Sequence, residues 1–171
     1  MNKKLIPFTV SSLRLLVLPL FIYLYMSNNT WAFLGLLVFC ATTDYLDGYL
    51  ARRLAVSSEL GAYYDAATDF TLMFGIYTLF VLLGLYSVWF VVLLTAAFAQ
   101  FIVTSLFARK LYDPVGRYLG STLYIGVALT LLVPVEVTFL FVQYAFSGFF
   151  LLSLISRIIS LARKPAKSPS P

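Results

Sequence analysis

The sequence predicts an all-α integral membrane protein, a bundle of six transmembrane helices with both termini on the cytoplasmic side. Three observations lead there. Hydrophobic residues fill 61% of the 171 positions and charged residues only 11%, far from the balance of a soluble domain. The apolar runs are continuous Leu, Val, Phe and Ile rather than the alternating segments of a membrane β-barrel. The basic residues gather in alternate connections, the pattern that sets membrane orientation.

Crossing a bilayer takes about 20 mostly apolar residues, and charged or turn-forming breaks divide the chain into stretches at 5–27, 31–53, 60–83, 87–108, 117–133 and 136–162. The first follows Lys3 and Lys4 as a signal peptide would, but Arg14 interrupts it and no small-x-small cleavage site precedes Asn28. It is therefore expected to be retained. Ser27 to Thr30 separates it from the second stretch, which closes on Arg52 and Arg53. Gly84 to Ser87 divides the third from the fourth, and Arg109, Lys110 and Arg117 bracket the link to the fifth. Only the turn Val133-Pro134-Val135-Glu136 parts the fifth from the sixth, so a five-span partition is the alternative. Residues 1–163 are read as one membrane domain, and 164–171, with three prolines and two serines, as a disordered cytoplasmic tail.

Lys3, Lys4, Arg52, Arg53, Arg109, Lys110, Arg117, Arg163, Lys164 and Lys167 all fall on one side of such a bundle, and the three other connections hold no Lys or Arg. That side is expected to be cytoplasmic. The net charge of +5 then reads as topology and attraction to anionic lipid head groups, not as a nucleic-acid footprint. Cys40 is the only cysteine, which excludes an intrachain disulfide, and it reads as packing. The absence of histidine excludes a Ser-His-Asp triad, a Cys-His pair and histidine-ligated zinc. Acid-base chemistry falls to carboxylates, Lys or Tyr.

The carboxylates are concentrated. Of seven acidic residues, Asp44, Asp47, Glu59, Asp65 and Asp69 fall within 26 positions at the junction of the second and third stretches. Each aspartate inside hydrocarbon costs about 2.5–3.5 kcal/mol on insertion scales, so something must offset four of them. Asp44 and Asp47 are three positions apart and Asp65 and Asp69 four, so each pair shares a face of its helix. With the two helices expected as antiparallel neighbours, the faces converge near the cytoplasmic surface, where the carboxylates would repel unless cations lay between them. Ligands that are all hard oxygen suit Mg²⁺ or Mn²⁺. Two such ions about 3.5–4 Å apart are the arrangement that steadies phosphoryl transfer. Gly48, Ala51 and Gly61 lower the bulk beside the aspartates, through helix packing alone or to admit a phosphate-bearing group. Arg52, one turn from Gly48, is placed to pair with a phosphate or to anchor the helix at the membrane surface; Arg53 reads as an anchor and Glu59 as a helix-dipole partner.

Read in order, Asp44, two residues, Asp47-Gly48, two residues, Ala51-Arg52, eight residues, Gly61, three residues, Asp65, three residues and Asp69 resemble the signature of the CDP-alcohol phosphatidyltransferase family at all eight specified positions. The resemblance implies that Asp44, Asp47 and Asp65 are metal ligands, and that Asp69 is both a shared ligand and the base for the acceptor hydroxyl. It implies that Gly48, Ala51, Arg52 and Gly61 hold the cytidine diphosphate of a CDP-activated lipid. A small alcohol would attack the lipid-side phosphorus and release CMP, with two Mg²⁺ or Mn²⁺ ions and no other cofactor. A homodimer is plausible for the family, although no residue pattern requires one.

The opening Leu5-Ile6-Pro7 through Ser11, Ser12, Leu13 and Arg14 to Pro19 resembles the glycerophosphate-using members, with Phe8 where their Asn usually follows the Pro. A phosphorylated acceptor needs cations, and Arg109, Lys110, Arg117 and Arg157 are the candidates. Cytoplasmic anchoring explains the first three equally well. Glycerol 3-phosphate is the expected acceptor, with inositol phosphate, serine or another polar alcohol as alternatives. A cation or proton-coupled transporter is the competing class, but its acids should be spread over several depths rather than gathered at one end.

Overall fold

The computed structural model describes residues 6–53, 59–108 and 116–162, and within them the side chains of 16–43, 61, 63–103 and 119–156. The described residues form six helices and no strand: α1 (Ile6–Met26), α2 (Thr30–Arg53), α3 (Glu59–Leu82), α4 (Val88–Ala108), α5 (Gly116–Leu132) and α6 (Glu136–Ala162). The ends at Met26, Thr30, Leu82, Val88, Leu132 and Glu136 fall within one residue of their expected places, and the turn at Pro134 does separate α5 from α6. The 164–171 tail lies outside the described residues.

The helices stop where their local chemistry stops them. After α1, Asn28 takes a left-handed φ of 53° and the Asn29 amide bonds back to the Leu24 carbonyl at 3.0 Å, a left-handed closure that Asn tolerates better than most residues with a Cβ. Asn29 Oδ1 then accepts from the Ala32 amide at 3.2 Å, capping α2. Gly84 repeats the first device after α3, with φ 76° and the Leu85 amide on the Phe80 carbonyl at 2.9 Å. The start of α4 is tied to α6, because the Ser87 amide donates to Oε1 of buried Gln143 at 3.2 Å. That contact satisfies an amide which no intrahelical carbonyl can reach.

Neighbouring helices follow the closed order α1, α3, α4, α6, α5, α2 and back to α1, with α3 also touching α5 across the middle. The most extensive contact is α1 on α3. Gly75 permits it, because a Cβ there would lie 2.5 Å from Leu18 Cδ2. Small residues at such crossings are how helices approach closely when lipid supplies no hydrophobic drive. Among the described residues, α2 packs mainly on α1 and α5 rather than on α3. Residues 44–53 of α2, where the approach to α3 is expected, have side chains outside the described set.

The connections 27–29, 83–87 and 133–135 meet at one end, where a cavity of about 260 Å³ is lined by Asn28, Asn29, Leu85, Pro134 and others. Odd-numbered helices therefore run toward that end and even-numbered ones away from it. The buried cluster fills the adjoining half of the bundle with Phe21, Phe33, Leu72, Tyr77, Phe80, Phe90, Val127 and Phe146. Tyr77 sits at its centre, edge-on to Phe90 with ring centroids 4.9 Å apart and to Tyr86 at 5.3 Å. The outside is apolar as well: Leu16, Trp31, Val38, Leu82, Val92, Val137, Phe141 and Leu152 are all exposed. Tyr63–Leu82 and Glu136–Ser156 are long and apolar enough to cross a membrane, while the apolar stretches described in the other four helices are shorter.

Candidate active site

The candidate site lies toward the end opposite the three connections. Asp47 is six positions before Arg53, the last described residue of α2, and Asp65 six after Glu59, the first described residue of α3; Asp44 is nine before and Asp69 ten after. At 1.5 Å per residue the aspartates therefore fall in two tiers, about 9 Å and about 14–15 Å along their helices. Gly48, Ala51 and Arg52 occupy the last turns of α2, and Gly61 the first turn of α3. The side chains of Asp44, Asp47, Ala51 and Arg52 are outside the described set.

On α3 the site is better defined. Asp65 and Asp69 are half-buried, one turn apart, with buried Thr68 between them. The Thr68 hydroxyl donates to the Asp65 carbonyl at 2.8 Å, so it is turned back into its own helix. The Tyr124 hydroxyl, reaching from α5, donates to Asp69 Oδ1 at 3.4 Å. One level closer to the core, the Tyr77 hydroxyl on α3 donates to the Leu123 carbonyl on α5 at 3.0 Å.

Tyr124 is the residue that sequence reasoning missed. Its depth was legible, since it stands eight positions into α5 and Asp69 ten into α3, and both helices run from the same end. That α5 touches α3 was not legible, because nothing local to either segment encodes it.

The expected acceptor residues fall differently. Arg109 and Lys110 lie outside the described residues. Arg117 is the second residue of α5 and Arg157 lies in the last third of α6, both with side chains outside the described set. Among the described side chains no group of three potential ligands assembles; of the four aspartates only Asp65 and Asp69 belong to that set. Their donor chemistry fits a hard divalent cation, being carboxylate oxygen with no sulfur or nitrogen ligand between them.

Comparison of the whole chain with family models matches CDP-alcohol phosphatidyltransferase over residues 4–162. The chain belongs to the CDP-alcohol phosphatidyltransferase family. Relatives within it carry more than one name. A Pseudomonas fluorescens protein named CDP-diacylglycerol--glycerol-3-phosphate 3-phosphatidyltransferase is 42% identical over 67 residues, 37% of this chain and 34% of its own. The protein of that name from Escherichia coli K12 is 37% identical over 67 residues, 37% of each chain. A putative cardiolipin synthase of Mycobacterium bovis is 38% identical over 91 residues, 52% of this chain and 43% of its own. The chain thus spans less than half the length of these relatives. The family match places Asp44 to Asp69 inside the matched region, as it does Tyr124.

Proposed function

We propose that the protein transfers a phosphatidyl group from a CDP-activated lipid such as CDP-diacylglycerol to a small alcohol, glycerol 3-phosphate first among them, with release of CMP. The observation that carries this reading is the complete eight-position set from Asp44 to Asp69 within a chain-long family match. The half-buried, adjacent carboxylates of Asp65 and Asp69 at one end of the bundle support it.

In the reaction the acceptor oxygen bonds to the lipid-side phosphorus, the bond from that phosphorus to the CMP oxygen breaks, and Asp69 takes the hydroxyl proton. Gly48, Ala51, Arg52 and Gly61 hold the cytidine diphosphate, with small residues admitting it and the Arg52 fork bonding phosphate oxygens. Asp44, Asp47, Asp65 and Asp69 would hold two Mg²⁺ or Mn²⁺ ions, which supply charge neutralisation at the diphosphate. Arg109, Lys110, Arg117 and Arg157 are assigned to the acceptor's phosphate. Two relatives' names favour glycerol 3-phosphate. The name cardiolipin synthase on another adds a lipid alcohol to the acceptors worth testing.

The same reading makes all six helices membrane spans, with both termini and the active site facing the cytoplasm. Two apolar segments of spanning length and the apolar exterior support it. Exposed Tyr23, Trp31 and Trp89 near the end that holds the short connections suit a membrane interface. The gathering of the four aspartates at one end of two helices favours this reading over a transporter.

The test is CMP release from CDP-diacylglycerol by purified protein given glycerol 3-phosphate, phosphatidylglycerol, serine or inositol phosphate. Asp69→Asn should abolish release while the protein stays folded, and full activity in that variant would remove Asp69 as base.

A further inference from the structure

The strongest unassigned feature of the site is the contact between Asp69 and Tyr124. Two hydrogen bonds join α3 to α5 in opposite directions: Tyr77 on α3 donates to the Leu123 carbonyl, and Tyr124 on α5 donates to Asp69 Oδ1. Leu123 and Tyr124 are adjacent, so the same turn of α5 is held on α3 at two depths. The deeper contact is rigid. Tyr77 is fully buried, and Gly126, one turn from Leu123, leaves room for its hydroxyl. The backbone that carries Tyr124 is consequently fixed relative to the backbone that carries Asp69.

We propose that Tyr124 is a positioning residue for the Asp69 carboxylate, an inference that rests on the reading of Asp69 as the base. A carboxylate turns about its terminal bond over a broad, shallow range. A fixed donor on Oδ1 narrows that range and sets how the carboxylate is presented to the acceptor hydroxyl. The donor is neutral, and this matters chemically. A Lys or Arg in its place would cancel the charge that makes the carboxylate a base and a cation ligand, whereas a phenol O–H orients it and leaves the charge in place. The 3.4 Å separation is longer than the optimum for O–H···O, so the bond steers Asp69 without fully occupying it.

The test is steady-state CMP release by the full chain and by Tyr124→Phe, with Tyr77→Phe and Asp69→Asn as references and thermal unfolding recorded for each. Tyr124→Phe keeps the ring and its packing. It should lower kcat about tenfold, as misorientation of a reacting group does, with KM for donor and acceptor within about twofold and the unfolding midpoint unchanged. Tyr77→Phe removes the deeper tie but keeps its ring in the packed core, and should lower the midpoint while lowering kcat less than Tyr124→Phe does. Wild-type kcat in Tyr124→Phe beside an inactive Asp69→Asn would overturn the positioning role and leave the base standing. An equal fall of kcat in both tyrosine variants would make the contact mere helix packing and overturn it as well. An active Asp69→Asn would remove the base and the positioning role together.

Discussion

The hydroxyl of Tyr77 on α3 donates to the backbone carbonyl of Leu123 on α5 at 3.0 Å, fully buried. It connects the two helices that run side by side from the candidate site into the core. The Leu123 carbonyl also lies within reach of its own helix, so deleting the hydroxyl removes a bond without stranding an acceptor. Tyr77→Phe should therefore cost only about 1 kcal/mol of stability, read as the midpoint of detergent-solubilised unfolding.

Gly126 sits where this contact and α6 converge. A Cβ added there would press on the Tyr77 hydroxyl and stand 2.7 Å from Val142 Cγ1. Neither yields easily, since Tyr77 is hydrogen-bonded and Val142 is β-branched. At Gly75 the obstruction is the tip of the Leu18 side chain, which can rotate aside. Gly126→Ala should thus destabilise by about 1–3 kcal/mol and Gly75→Ala by less, in parallel unfolding measurements.

Tyr86, in the α3–α4 connection, gives a pH signature. Its oxygen is 2.6 Å from Thr130 Oγ1, and Thr130 donates its own proton to the Gly126 carbonyl at 2.7 Å. Tyr86 must therefore be the donor to Thr130. Burial pushes its hydroxyl up to about 12. A group whose folded value lies above its ordinary 10.0 contributes stability that is complete below that pH and lost as pH climbs toward 12. The unfolding midpoint should fall between pH 10 and 12, and Tyr86→Phe should fall less steeply.

The helices were legible because their ends are written locally. Asn28 and Asn29, Gly84 and Pro134 each break helix geometry by their own chemistry, whatever they pack against. The four aspartates were legible for a similar reason, since charge in an apolar run demands an explanation. Packing partners were not. The contact of α3 with α1, where Gly75 admits Leu18, has no signal local to either segment. The partner of buried Gln143, the Ser87 amide, is 56 positions away. Tyr124 carried no local signal, one tyrosine among twelve, until α5 was brought against α3.

Arg117 separates the two substrates. It opens α5 at the end of the bundle that holds the aspartates, and its assigned partner is the acceptor's phosphate alone. Arg117→Ala should raise the acceptor's KM about tenfold or more, the loss expected of a charge-assisted contact, with the donor's KM nearly constant. Equal rises in both would move Arg117 out of the acceptor pocket.

The central claim is that carboxylates tolerated in this bundle serve a metal-dependent transfer from a CDP-activated lipid. Its most direct measurement is CMP release from CDP-diacylglycerol by the purified chain, with glycerol 3-phosphate present, as Mn²⁺ or Mg²⁺ is titrated in and then chelated. Release that appears with the metal, disappears on chelation and is absent from Asp65→Asn at every metal concentration is the predicted result. Release that proceeds undiminished in chelator, or no release with either metal and any acceptor, would contradict the account.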